Sequence, residues 1–297
     1  MTEPATPQAQ SATSSTPHRA PLLFVLTTVA IAGIVLTTSL LGLFAYWPYA
    51  AETPAWRLQA HGQDLGNLLA VATLLAALVP AARGSVAALG VWTGALLYLC
   101  YVFAIYAFAI HFGPLFLLYL AVMGASVYAA GFGLRQLQGV TIARKPLNVG
   151  AAVIASVAVL FALLWLASII PALLVGRAPA ELAEAGLTTN PVHVLDLAIV
   201  LPAMLITAVL ARRGSGPSQT LIVPWLVFTA LMAASVAITL MMADAWVPAA
   251  LLVTLVITSV LASIRVCGAS MPVRCTVPAL DGAHRRRVEP SPEPRWQ

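Results

Sequence analysis

Two stretches of this chain set a histidine and an aspartate one helical turn apart in otherwise apolar sequence: His61 and Asp64 in HGQDLGNLL, His193 and Asp196 in HVLDLAIVL. Residues at i and i+3 share a helix face, so each pair presents an imidazole and a carboxylate together. Three chemistries fit. The first is structural: each aspartate pairs with its own histidine, or with Arg57 or Arg177, and fixes loops against a helix bundle. The second is a polar relay or solute site, because histidine titrates near neutral pH and carboxylate–histidine chains carry protons in pumps and transporters. The third is metal or haem ligation: two such helices face to face would offer His61, Asp64, His193 and Asp196 as ligands, a set that suits zinc, manganese or iron. His111 and Asp244 join the candidate polar set, His111 as a further ligand. An aspartate where symmetry would want a histidine argues against a symmetric bis-histidine haem. No cofactor is required by the sequence.

The elements that must hold these residues follow from composition. The chain is 61% hydrophobic and 8% charged over 297 residues, whereas a soluble domain carries about 25% charged residues. Lipid offers no hydrogen bonds, so long apolar segments must satisfy their own backbone, which they do as helices. This predicts an all-α integral membrane protein with eight spans near 21–46, 65–82, 86–110, 114–134, 148–175, 192–211, 221–243 and 246–266. The third and fourth are joined by HFGP and the seventh and eighth by ADAW, two tight hairpins. The first span is too long for the apolar core of a cleaved signal, so it reads as a signal anchor. Residues 1–20 and 267–297 are polar and Pro-rich and read as disordered tails.

Orientation follows from lysine and arginine in the short loops. With the N-terminus inside, thirteen of the 15 basic residues fall inside and only Arg57 and Arg177 outside. Both termini are therefore expected in the cytoplasm, in the plasma membrane. This pattern also accounts for the net charge of +5 without nucleic acid as a partner. The basic run Arg285, Arg286 and Arg287 is a solvated tail with anionic lipid head groups as its sharper partner. Tyr46, Trp47, Tyr49 and Trp246 read as an interfacial belt, and Tyr98, Tyr101 and Tyr106 as helix packing with partnered hydroxyls. Gly90 and Gly94 permit close helix approach. Thr53-Pro54 and Asn190-Pro191 look like helix starts; the first is expected to open a short interfacial helix that Gly62 loosens. The loop RAPAELAEAGLTTN reads as a short surface helix with Glu181 and Glu184 outward.

Aligning the two histidine–aspartate stretches also brings R-G-S at 83–85 near R-G-S at 213–215. Each stretch opens the second helix of a four-helix set, which suggests two parallel repeats, 21–145 and 146–266, related by an axis along the membrane normal. No C-x-x-C, P-loop, G-x-G-x-x-G, H-E-x-x-H or G-x-S-x-G is present, so thiol–disulfide, nucleotide, zinc-protease and serine-hydrolase chemistries find no support. On HGQDL, NPVHVLDL and its Ala/Arg-rich style, the chain resembles the uncharacterised multi-pass membrane proteins of high-GC actinobacteria; the resemblance covers the membrane region and implies no activity. The expectation is a transporter or relay, or a protein that works through helix contacts, rather than an enzyme. A metal- or haem-binding redox protein or enzyme is the alternative.

Overall fold

The computed structural model describes residues 22–272. The first tail, most of the second, Cys275 and the run Arg285, Arg286 and Arg287 lie outside the described residues. Eight helices are long and apolar enough to cross a membrane: α1 Leu22–Phe44, α2 Pro54–Ala82, α3 Val86–Ala109, α4 Phe116–Gln136, α5 Arg144–Val175, α7 Pro191–Arg212, α8 Gly216–Met242 and α9 Trp246–Gly268. A short helix, α6 Ala180–Ala185, lies between the fifth and sixth of them. Thr53 and Asn190 are the caps that their sequences suggest: Thr53 Oγ1 accepts from the Trp56 N–H at 3.2 Å and Asn190 Oδ1 from the Val192 N–H at 3.0 Å. Odd connections gather at one end of the bundle, here the first-loop end.

Two boundaries differ from expectation. Helix α9 runs on to Gly268, so Cys267 is helical. Helix α2 is one continuous rod of 29 residues, about 44 Å long at 1.5 Å per residue, with no separate interfacial helix. Gly62 does not loosen it. A methyl group on Gly62 would run into Thr239 of α8, and one on Gly66 into Ser235 of α8 and the Tyr98 hydroxyl. Gly62 and Gly66 are thus a contact seam. Gly90 and Gly94 form a second seam on α3: Cβ atoms there would meet Val223 at 3.0 Å and Val227 at 2.6 Å. Helix α8 is therefore pressed into the first half of the chain along most of its length, by glycines that let backbones approach. Helices α3 and α8 are the enclosed ones, with 67% of their apolar windows buried against 17% in α5.

The third helix of each four-helix set is thus central. The sets are otherwise packed differently: α2 lies along α3, whereas α7 scarcely touches α8. The gap left between α7 and α8 matters below. In α7 the residues Asp196–Val200 form a π-helical turn, and Pro202 follows. A proline ring strikes the carbonyl four residues back in a regular helix; widening the preceding turn removes that clash. At the end opposite the first loop, Val140–Ile142 (β1) pairs antiparallel with Ser270–Pro272 (β2), Val140 opposite Pro272. This ribbon was not expected from the sequence.

Candidate functional site

Asp64 is fully buried between α1, α2 and α3. The Tyr49 hydroxyl donates to its Oδ2 at 2.8 Å and the Tyr106 hydroxyl to its Oδ1 at 2.9 Å. Room for the carboxylate exists because residue 42 of α1 is glycine; a Cβ there would overlap Asp64 Oδ2 and sit 2.7 Å from the Tyr49 hydroxyl. Tyr49 is not a belt residue. It is 1% exposed while Tyr46 is 71% exposed, because the turn Trp47–Tyr49 folds it inward. Burial, with the Asp64 charge adding to it, pushes the Tyr49 hydroxyl well above the usual phenol range, so it keeps its proton and donates.

Asp196 has the same arrangement built from other helices. The Tyr101 hydroxyl donates to Oδ1 at 2.9 Å and the Trp165 indole N–H to Oδ2 at 2.8 Å. In both sites the histidine three residues earlier packs on the aromatic ring that donates to the aspartate. His61 lies against Tyr49 with ring centroids 5.7 Å apart, and His193 against Trp165 at 4.6 Å. The motif is therefore histidine, aromatic donor, aspartate and a tyrosine of α3, made twice.

These contacts correct the proposed pairings. Neither aspartate bonds to its own histidine, and neither pairs with a loop arginine. Arg57 donates to the backbone carbonyls of Tyr49 and Glu52, both at 3.2 Å, and lies over the Tyr46 ring at 5.2 Å. His111 belongs to a separate latch. Its N–H and its Nδ1 meet the buried Glu52 carboxylate at 2.7 and 3.0 Å. Asp244 is exposed and sits at φ 57°, a left-handed conformation that aspartate tolerates in turns; it shapes the α8–α9 hairpin. Among the described residues no three His, Cys, Asp or Glu side chains come together, so His61, Asp64, His193 and Asp196 do not form the metal set their sequence spacing allowed.

The two sites differ in access. Asp64 is sealed. Asp196 lines a cavity of about 700 Å³ in the gap between α7 and α8, walled also by α2, α3, α5 and α9. Its walls are largely apolar, with Gln59, Gln63, Tyr101, His193 and Glu181 adding polar groups. Gln63 is tied to the Tyr98 hydroxyl, and Ser235 donates to its carbonyl at 3.3 Å. Glu181 of α6 is exposed, as expected, and accepts from Ser168 at 2.6 Å at the cavity rim. The three α3 tyrosines all have partnered hydroxyls, as expected, yet two of them hold the aspartates.

Trp165 and Tyr49 are the site residues that the sequence reading missed. A tryptophan in the middle of an apolar span was the available signal, since its N–H needs an acceptor when buried. No protein-family model, curated protein or solved structure matches the chain. Its chemistry has to be read from its own cavity.

Proposed function

We propose that the protein is a transporter-type membrane protein that takes a solute with an apolar body into the cavity between α7 and α8, with Asp196 as the polar anchor. One observation carries this reading. A carboxylate has about four acceptor positions, Asp196 uses two on Tyr101 and Trp165, and it lines an apolar cavity of about 700 Å³. A volume of that size is typical of small-molecule sites. An ionisable side chain inside a membrane protein usually faces the bundle interior or a cavity and marks a solute or ion path. Asp64, made from the same parts but sealed, is the structural counterpart. The basic residues of the even connections support placing the first-loop end, and so the cavity, on the extracytoplasmic side of the plasma membrane.

Ala233 lines the cavity, and Ala233→Trp puts a bulky ring into it while leaving Asp196, Tyr101 and Trp165 in place. Binding of triphenylphosphine oxide, a neutral bulky probe, is measured by equilibrium dialysis on the purified protein in detergent. Saturable binding to the wild type and its loss in Ala233→Trp are expected. No saturable binding, or equal binding by the filled variant, overturns the reading.

A further inference from the structure

We infer that the solute of this cavity is a lipophilic cation. The inference rests on the proposed function and names the ligand class of the same site. The first ground is charge. The residues lining the cavity include two carboxylates, Asp196 and Glu181, and neither an arginine nor a lysine. Arg57, the basic residue at the start of α2, is held elsewhere by two backbone carbonyls and the Tyr46 ring. His193 is the basic titratable side chain among the lining residues; its ring lies on Trp165, and Glu181 lies within electrostatic reach of it.

The second ground is the aromatic wall. Tyr101 and Phe228 meet edge to face at 5.5 Å, and Phe161 lies 5.8 Å from Trp165. All four line the cavity. Aromatic faces attract cations, most strongly where water is excluded. An anion in the same place would meet two carboxylates with no basic lysine or arginine to offset them, and the low dielectric of an apolar wall magnifies that difference. Tyr101 and Trp165 bind the carboxylate through their O–H and N–H, so the anchor is fixed while its remaining lone pairs stay open. The geometry suits a delocalised or amine cation carried on apolar substituents: the charge at Asp196, the substituents against the apolar wall.

Tetraphenylphosphonium and tetraphenylborate have nearly the same shape and opposite charge. Their binding to the purified protein in detergent is compared by equilibrium dialysis, with Ala233→Trp as the reference for partition into micelles. Tetraphenylphosphonium is expected to bind the wild type at least about tenfold more tightly than tetraphenylborate, a difference of about 1.4 kcal/mol. Asp196→Asn should weaken the cation about tenfold or more, Glu181→Gln less, and Asp196→Glu should restore part of the loss. Equal binding of the two ions, tighter binding of the anion, or an unchanged cation affinity in a folded Asp196→Asn overturns the cation inference and leaves the cavity reading standing. Failure of both ions and of the neutral probe, or full binding by Ala233→Trp, overturns the cavity reading itself. Empty micelles of the same detergent give a second partition reference, so the wild-type comparison also stands without a variant that folds.

Discussion

The sealed carboxylate of Asp64 predicts a coupled energy network. It receives Tyr49 at 2.8 Å and Tyr106 at 2.9 Å, with no cation beside it. A hydrogen bond to a charged group contributes about 1.5–3 kcal/mol, so Tyr49→Phe and Tyr106→Phe should each cost that much. Together they should cost about 3–6 kcal/mol, the sum of the two, with Ser39 and Asn67 as the polar side chains left beside the carboxylate. Asp64→Asn changes the arithmetic. The amide still accepts from one phenol and donates to the other, so in that background each Tyr→Phe change should cost only about 0.5–1.5 kcal/mol, the value for neutral hydrogen bonds. The expected coupling between Asp64 and either tyrosine is therefore about 1–2 kcal/mol, within the range for contacting residues. Unfolding in mixed detergent–SDS micelles measures all of these variants. If the two Tyr→Phe changes cost the same with and without Asp64→Asn, the network argument is wrong.

Three further outcomes are expected. Gly66→Val should destabilise by about 1–3 kcal/mol through overpacking against Ser235; Gly33→Ala, which meets nothing within 4 Å, should stabilise by about 0.5–1 kcal/mol. The same unfolding assay separates them, and a neutral Gly66→Val would remove the α2–α8 seam. Glu52→Ala should cost about 1–3 kcal/mol because it strips a buried acceptor from the His111 N–H, whereas His111→Ala should cost less than about 1 kcal/mol, its ring being 60% exposed; the reverse order would show that the ring carries the latch. A reporter enzyme active only outside the cytoplasm should work when fused after Asp244 and fail after Arg213, and the opposite result inverts the topology.

The eight spans were readable because lipid imposes a length and an apolar composition on every crossing segment. The caps at Thr53 and Asn190 were readable because proline and a short polar side chain act within one turn. Gly62 was misread for a physical reason: a glycine four residues from Gly66 marks either a weak helix or a close approach, and only the partner helix decides. The aspartates face protein, as an ionisable side chain in a membrane span does, but their partners were not the near ones. Tyr49 lies 15 residues from Asp64 and Trp165 lies 31 from Asp196, so the contacts depend on tertiary placement. A residue at i−3 shares a face, yet here that face is occupied by an aromatic ring lying against both members of the pair. The cavity left no trace in the pattern, because it comes from the separation of α7 from α8.

The β1–β2 ribbon sets the kinematics of any opening. It joins the connection between α4 and α5 to the chain leaving α9, while the Ile142 N–H reaches Gln219 at the start of α8 and β2 rests on α3. Elements of both halves are therefore knotted at one end, while at the other they meet through the Gly62–Thr239 contact and the Tyr101–Asp196 hydrogen bond. If the rods part as tweezers do, with the fulcrum at the knot, the stroke at the tips must break that hydrogen bond. Across the roughly 30 Å thickness of the hydrocarbon, a swing of about 10° moves the tips by about 5 Å and the fulcrum hardly at all. The tips are where Asp196 and Glu181 stand, so a small rotation would alter the gape of the cavity while the ribbon end stays shut.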